Sequence, residues 1–345
     1  VLSTLLQATP TDDLIAVLNG APGFVDPALL LLLALIVDGL VGDPRWLWRA
    51  LPHPVAMIGA LIGWFDAKLN RDGRSDLNRT VRGAITVGLC VGLSALVGWW
   101  LHQLMAHLSY GMVGEIVLVA ILLAGRSLYD HVGAVAKGLK KGGLAGGRAA
   151  LQHIVGRDVT SLDAHGVARS AIESLAENFA DGLVAPAFWY VLLGLPGLFA
   201  YKAINTLDSM IGYRTKRHKA FGLTAARLDD AANYLPARLS GLLICLAAAS
   251  APSGRAGRAL KVMRRDAMRH ASPNAGWPEA AMAGALDIAL GGPRRYPGGV
   301  SEGAWIGDGR ARLEVRDIRS AQRLYLIACA LGWVLTAVVA LAGFA

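Results

Sequence analysis

The feature that most constrains this chain is a set of apolar runs too long and too poor in charge for a water-soluble core. A bilayer hydrocarbon core about 30 Å thick takes roughly 20 apolar residues of helix to cross. Stretches at about 25–41, 83–101, 112–128 and 323–344 meet that test, and the last contains LYLIACALGWVLTAVVALAGFA, which carries no charge. Trp99 and Trp100 close the second stretch as an interfacial belt. Three further apolar stretches are short or broken: 53–65, 236–250, and 182–201 with Gly194, Pro196 and Gly197 inside it. They read as re-entrant, interfacial or tilted segments, because irregular backbone survives at membrane depth only inside protein or beside a cavity. The expected fold class is all-α, a polytopic helical membrane protein with about four clear spans plus broken or re-entrant helices and cytoplasmic helical loops. Residues 1–24 read as an N-terminal extension and 25–345 as a single integral-membrane domain.

Charge distribution sets an expected orientation. Charged residues make up 17% of the chain, against about 25% in soluble proteins, and basic residues exceed acidic ones by 34 to 25. The basic loops 66–82, 126–169 and 255–323 are expected in the cytoplasm, with 1–24 and 102–111 outside. Loop 202–235 is also basic, which conflicts with a full crossing at 182–201; a helical hairpin there would remove the conflict. Cys90, Cys245 and Cys329 lie in apolar segments without metal-site spacing and read as small core residues. Residues 1–27 hold no Lys or Arg, so a cleaved signal peptide is not expected. The glycine-rich 138–147 lacks the phosphate-loop pattern and reads as a flexible connector.

Polar residues gather where the charge-poor chain can least accommodate them. In SAIESLAENFADG (170–182), Glu173, Glu177 and Asp181 stand at i, i+4 and i+8, three carboxylates on one helix face. Like charges at that spacing repel, so a metal ion, a bound cation or a shared proton would offset them; a solvated helix face is the plainer alternative. In KAINTLDSMIGYRTKRHK (202–219), Asn205, Asp208, Ser209 and Gly212 share a face, and Gly212 admits a close approach. The basic run that follows reads as a membrane-surface anchor, with Arg214, nearest the polar face, as a phosphate clamp. In RLDDAANYLPAR (227–238), Asp229 and Asp230 with the amide oxygen of Asn233 suit Mg²⁺, which takes oxygen ligands. An acidic pair at a helix start reads equally well.

Two outlying segments carry similar polar density. Residues 265–292 include the turn SPNAGWP, the polar Asp266, His270, Asn274 and Glu279, and then a run of small residues that packs closely against another helix. Residues 38–59 place Asp38 at the end of an apolar run, and an ionisable group at membrane depth is a functional candidate. His53, between two prolines, reads as a base, a metal ligand or a hydrogen-bonded turn residue. No nucleophile-elbow, zinc-protease, Rossmann or Walker pattern is present, and nucleic-acid binding is not expected because the basic residues flank apolar spans.

These segments together resemble the adenosylcobinamide-phosphate synthase family, the CobD/CbiB membrane proteins of cobalamin biosynthesis. The resemblance covers about 30–320 and rests on DGxxGDP at 38–44, HPV at 53–55, IVGRD at 154–158, ESLAEN at 173–178, DG at 181–182, NTLDSMIGY at 205–213, RLDDAANYLPAR at 227–238 and SPNAGWPEA at 272–280. His270 is followed by Ala271 where the family usually shows Pro. The resemblance implies an amide-forming ligase that joins a propionate carboxylate of adenosylcobyric acid to (R)-1-amino-2-propanol phosphate, with ATP as co-substrate and Mg²⁺ as cofactor. It places Glu173, Glu177, Asp181 and Asn178 in the catalytic group, with Glu173 or Glu177 as base, and Asp208, Asp229 and Asp230 on the metal. Arg157, Lys202, Asn205, Ser209, Arg214, Arg238, Asn274 and His53 would hold phosphates, corrin carboxylates or other substrate groups. The implied setting is the inner (cytoplasmic) membrane, multi-pass, with the active site towards the cytoplasm, among membrane lipid and open to a homo-oligomer or a complex with other cobalamin-pathway proteins. Two alternatives stand beside it. One is a Mg²⁺-dependent membrane transferase on diphosphate lipids, whose N-x-x-x-D motif Asn205 and Asp208 miss by one residue. The other is a non-catalytic corrinoid-binding protein or transporter.

Overall fold

The computed structural model describes residues 26–42, 47–156, 158–250, 255–296, 299–301 and 303–343; Arg157 and the expected extension 1–24 lie outside them. Twelve helices of more than one turn are described: α1 (Pro27–Val41), α2 (Pro54–Leu69), α3 (Asp76–Ala106), α4 (Gly111–Leu122), α5 (Gly125–Leu151), α6 (Ala164–Phe179), α7 (Ala185–Ile211), α8 (Leu223–Ala232), α9 (Tyr234–Ser250), α10 (Ala256–Asp266), α11 (Gly276–Leu286) and α12 (Val315–Gly343). The chain is an all-α polytopic membrane protein. Side-chain oxygens start several helices: Asp26 accepts from the N–H of Ala28 at 2.6 Å, and Asp163 from that of Gly166 at 2.7 Å.

Four helical runs are long and apolar enough to cross a membrane: 76–106, 111–151, 164–211 and 315–343. Three of them cover the expected spans 83–101, 112–128 and, as far as residue 343, 323–344. The fourth expected span corresponds to α1, whose 15 residues reach only about 22 Å, short of a full crossing. Residues 236–250 form α9, which meets α8 at a 46° bend.

The broken stretch 182–201 is resolved by a reversal. Gly194 takes φ 62° and ψ −153°, a conformation open to glycine. The chain turns there so sharply that a Cβ on Gly197 would sit 2.5 Å from the carbonyl oxygen of Trp189; in a straight helix residues eight apart are separated by about 12 Å. α7 is thus a helical hairpin, the arrangement that reconciles the basic loop after it with the apolar run before it. Gly143, at φ 58° and ψ −151°, makes a second such reversal in α5 and lays Gly138 directly on the backbone of Gly146. The glycine-rich 138–147, expected to be a flexible connector, is therefore a tight helical turn whose glycines let two limbs touch.

Close backbone approach also seats the α7 hairpin on α3. A Cβ at Gly98 would meet the carbonyl of Leu195 at 2.6 Å. The first limb of the hairpin is braced by a polar contact: Tyr190 donates to Oε1 of the buried Glu115 at 2.7 Å, and His102 Nδ1 lies 3.2 Å from Oε2. The main apolar core draws on α1, α4–α7, α9–α12, Leu290 and Ile306, and a second cluster joins α2, α3, the last turns of α7, Phe221 and α8.

Sequence pattern gave no sign of two small antiparallel pairs after α11. Leu290–Gly291 (β1) pairs with Trp305–Ile306 (β4), and Arg294–Tyr296 (β2) with Gly299–Ser301 (β3). Strands of two or three residues are too short for alternation to show. Buried carboxylates fasten this ribbon to the helices. Glu173 Oε1 accepts from the N–H of Gly291 at 2.7 Å and Asp266 Oδ2 from that of Gly307 at 2.9 Å. Arg265 and Arg269 sit 2.7 Å and 3.2 Å from the Asp266 carboxylate.

Candidate active site

The centre of the site is a change of helical pitch between α6 and α7. Residues Ala180–Val184 form one π-type turn in which the N–H of Ala185 reaches the carbonyl of Ala180. Pro186 follows and has no N–H to give. The carbonyls of Asp181 and Gly182 are therefore left without the helical partner at residue 186. Both are met from outside: the N–H of Ala124 donates to the oxygen of Gly182 at 3.0 Å, and the Tyr201 hydroxyl, 3.0 Å from the oxygen of Asp181, shares its one proton between that oxygen and Asn233 Oδ1. A buried carbonyl left unpaired costs about 1–3 kcal/mol, so Tyr201 and Ala124 fix where the turn sits. The turn presents the Asp181 side chain towards the second limb of α7.

That limb brings Lys202, Asn205 and Asp208 opposite Asp181, and α8 brings Asp229 and Asp230. Asp181 is within electrostatic reach of Asp229, Glu177, Asp208 and Lys202. Asp208 and Asp230 face each other in the same way, and Arg214 and Arg227 reach Asp230. Lys202 is 8% exposed and lies between Asp181 and Asp38. Among the described residues it makes no ion pair within 4 Å. Lys202 thus faces Asp181 and Asp38, while Glu177, Asp208 and Asp229 neighbour Asp181, and two arginines reach Asp230 at the rim.

Individual placements explain the spacings in the sequence. Gly212 lies one turn after Asp208, and a Cβ there would stand 2.0 Å from Asp208 Oδ1; the glycine leaves room for the carboxylate. Asn233 is 1% exposed. Its Nδ2 donates to Asp229 Oδ2 at 3.0 Å, and its Oδ1 lies 2.9 Å from the Tyr201 hydroxyl. The carboxylate needs a donor opposite it, which fixes the amide this way round. The expectation that the Asn233 oxygen would bind metal is corrected: that oxygen is turned to Tyr201, and Asn233 orients Asp229. Asn205 approaches Asp229 from α7, while Asp229 Oδ1 is buried and accepts no hydrogen bond.

The remaining expected site residues divide into those at this centre and those committed elsewhere. Glu177 faces it from α6. Glu173, one turn earlier, is buried with Oε1 engaged by Gly291, so it anchors the ribbon. Asn178 donates back to the carbonyl and hydroxyl of Ser174 at 2.9 Å and 3.1 Å, and Ser174 lies 3.3 Å from the carbonyl of Ile154. The hydroxyl of Ser209 is turned onto the carbonyl of Asn205 at 2.8 Å. Asn274 donates to the carbonyl of Asp230 at 2.8 Å and lies 3.5 Å from Arg238, so its amide braces the DDAAN segment rather than facing a substrate. Arg238 lies over the rings of Tyr234 and Trp277, 3.5 Å and 4.5 Å from their centroids. His53 caps α2, its Nδ1 accepting from Val55 N–H at 3.1 Å, which is the turn role.

The basic run after α7 is held in place, not loose on a surface. Arg217 and His218 lie 2.8 Å and 3.3 Å from the Asp66 carboxylate. Asn70 donates to Asp66 at 2.7 Å and to the carbonyl of Arg217 at 3.1 Å, and Arg79 donates to Asn70 and to the carbonyl of Arg217. Burial alone would raise the Asp66 carboxyl, but the bonds from Asn70, Arg217 and His218 outweigh it and hold the group below its ordinary value. Arg214, exposed and one turn away, is left facing Asp230. Arg227 was not anticipated as a site residue; its signal was its position two residues before the Asp229–Asp230 pair. Asp38 accepts from the N–H groups of Gly125 and Arg126 at 3.0 Å and 3.3 Å, capping α5 from within the apolar layer.

Comparison with known proteins matches residues 31–325 to the family model described as CobD/Cbib protein. The chain belongs to the CobD/CbiB family. A cobalamin biosynthesis protein CobD of Sinorhizobium sp is 54% identical over 304 residues, 87% of this chain and 94% of that protein. Proteins of the same name from Brucella suis biovar 1 (strain 1330) and Rhodobacter capsulatus are 50% and 48% identical. They cover 86% and 81% of this chain, and 92% and 86% of their own. No solved structure matches. Each segment that joins the acidic centre falls within the CobD/CbiB match, as do the ribbon and its anchors.

The family resemblance also implies Mg²⁺. Among the described residues no three His, Cys, Asp or Glu side chains already converge on one point. Mg²⁺ commonly uses only one or two carboxylates, with waters and substrate phosphate completing its shell. The buried, unpartnered Oδ1 of Asp229 with Asp208 facing it fits that donor set.

Proposed function

We propose that this CobD/CbiB protein is an adenosylcobinamide-phosphate synthase. It forms an amide between a propionate carboxylate of adenosylcobyric acid and the amine of (R)-1-amino-2-propanol phosphate, using ATP and Mg²⁺ on the cytoplasmic side of the inner membrane. The observation that carries the reading is the row of neighbouring carboxylates Asp181, Asp208, Asp229 and Asp230, with the buried Lys202 beside Asp181 and with Arg214 and Arg227 at the rim. Such a centre attracts cations inside and phosphate at its edge, which suits an ammonium substrate that itself carries a phosphate.

A carboxylate does not react with an amine at neutral pH without activation. In the proposed course a propionate oxygen attacks the γ-phosphorus of ATP, ADP leaves, and an acyl phosphate forms. The amine, having lost a proton, attacks the acyl carbon, and inorganic phosphate leaves with the former carboxylate oxygen. Mg²⁺ bound at Asp208 and Asp229 would supply positive charge to the phosphates. Asn233, held by Tyr201, keeps Asp229 aimed, and Asn205 approaches it from the other helix. Arg214 and Arg227 hold substrate phosphate at the rim, and Lys202 balances Asp181 and Asp38 within. Glu177 takes the proton from the ammonium; Glu173 is committed to Gly291.

Incubation of the purified protein with adenosylcobyric acid, aminopropanol phosphate and ATP–Mg²⁺, read by product mass, tests the reading. The expected product is adenosylcobinamide phosphate. Its absence across detergents and lipids, with corrinoid still bound, would favour the non-catalytic alternative.

A further inference from the structure

α1, the first limb of the α7 hairpin, α9 and α12 leave an apolar groove between them, of about 220 Å³, lined by residues that include Leu35, Val184, Phe188, Leu243 and Gly332. The hydroxyl of Thr336 in its wall is turned back onto the carbonyl of Gly332 at 2.9 Å. Leu183, Cys329 and Trp333 also line a second cavity of about 330 Å³, together with Asp38, Arg126 and Tyr129. An apolar slot therefore adjoins a more polar mouth.

Length and charge identify the occupant. Along α12 the groove runs from Ala328 to Val339, about 16 Å of helix. That is half of the roughly 30 Å hydrocarbon core, the depth of one leaflet, and too short for a partner's full span. At the other end, Arg319 and Arg323 share a face of α12 with Leu326 and Ala330, which line the mouth. Both arginines are exposed and make no ion pair among the described residues. Arg126 adds a third positive charge, with Asp130 3.0 Å away, while the Asp38 carboxylate is spent on the start of α5. Three arginines against one outward carboxylate favour an anionic headgroup. We propose that the groove binds one acyl chain of an anionic phospholipid from the leaflet at the basic end of α12, its phosphate held by Arg126 and Arg323.

The test is native mass spectrometry of the full chain in detergent, titrated with phosphatidylglycerol or phosphatidylcholine. A Cβ at Gly332 meets nothing within 4 Å, so Gly332→Phe fills the groove without disturbing the backbone, and Gly332→Leu is measured beside it in case the larger ring impairs folding. Wild type is expected to retain one phosphatidylglycerol at collision energies that remove phosphatidylcholine. Both Gly332 variants should bind it at least tenfold more weakly, and Arg323→Gln should abolish the preference over phosphatidylcholine. Equal binding of the two lipids, or Gly332 variants that bind like wild type, would overturn the proposal. So would displacement of the lipid by millimolar inorganic phosphate, or loss of a dimer in Gly332→Phe with lipid count unchanged, which would assign the groove to phosphate or to a second copy. The readout is bound lipid, not turnover, so it stands apart from the proposed amide synthesis.

Discussion

Substituting Gly212 by Ala tests whether the acidic centre depends on the placement of Asp208. The glycine has φ −71° and ψ −5°, so alanine meets no backbone penalty there. Its methyl, however, would lie 2.0 Å from Asp208 Oδ1 and 2.7 Å from the Asp208 carbonyl oxygen. Contacts below 3.0 Å are not sustained, so the carboxylate must move by at least 1.0 Å and the backbone between Asp208 and residue 212 by about 0.3 Å, the differences between 3.0 and the 2.0 and 2.7 Å found. A carboxylate at the end of a short side chain swings at modest cost, about 1–3 kcal/mol where the surroundings are packed. Catalysis is far less tolerant, since a misplacement of about 1 Å can cost on the order of 100-fold. Gly212→Ala should therefore lower turnover in the product-mass assay about 100-fold, with a fall in melting temperature matching a loss of about 1–3 kcal/mol. Gly92→Ala, where a Cβ meets nothing within 4 Å, is the control and should match wild type. Full turnover in Gly212→Ala would refute the argument that the spacing from Asp208 to Gly212 exists for the carboxylate.

Other substitutions separate the roles further. Asp229→Asn should reduce turnover on the order of 100-fold and raise the Mg²⁺ concentration needed; unchanged activity at low Mg²⁺ would remove Asp229 from the metal site. Tyr201→Phe leaves the Asp181 carbonyl and Asn233 Oδ1 without the hydroxyl between them, and should destabilise the protein by about 1–3 kcal/mol in thermal unfolding. Glu177→Gln should abolish the acid limb of the kcat/KM pH profile, while Glu173→Gln, which can still accept from Gly291, should leave the profile unchanged; the reverse pattern would exchange their roles. Asp66 is held below its ordinary value in the fold, so its contribution is complete above the unfolded value of about 3.9 and is lost as pH falls through the lower folded value. Hydrogen exchange in 215–222 should stay slow at pH 7 and quicken below about pH 4 beyond the intrinsic rate change. Asp66→Asn should show the faster exchange already at pH 7.

Spans, polar clusters and reversals were legible in the sequence to different degrees. The uncharged run in α12 and the Trp-closed run in α3 could be read directly, because length and hydropathy decide a crossing. α1 ends at Val41, where the apolar stretch also ends, but its 15 residues reach only about 22 Å, too short for the full span expected of it. The hairpin at 182–201 was accessible only through a conflict of charges on either side, whereas the turn at Gly143 looked like a linker because tight and loose glycine runs share a composition. Asp181, Asp208 and Asp229 stood out as carboxylates in a charge-poor chain. Their division of labour did not, since it depends on contacts between distant elements: Tyr201 on Asn233, Gly291 on Glu173, Asn274 on the Asp230 carbonyl. The π-type turn had one local signal, Pro186 shortly after Asp181-Gly182, whose meaning appears only once two carbonyls are seen to need outside donors.

The claim that this centre activates a carboxylate and joins it to an amine is tested most directly with adenosylcobyric acid labelled with ¹⁸O in its free carboxylate. Supplied with aminopropanol phosphate and ATP–Mg²⁺, the protein should yield adenosylcobinamide phosphate together with inorganic phosphate carrying one ¹⁸O per amide formed. Amide product with unlabelled phosphate would contradict the acyl-phosphate course, and bound corrinoid with no amide would contradict the synthase assignment itself.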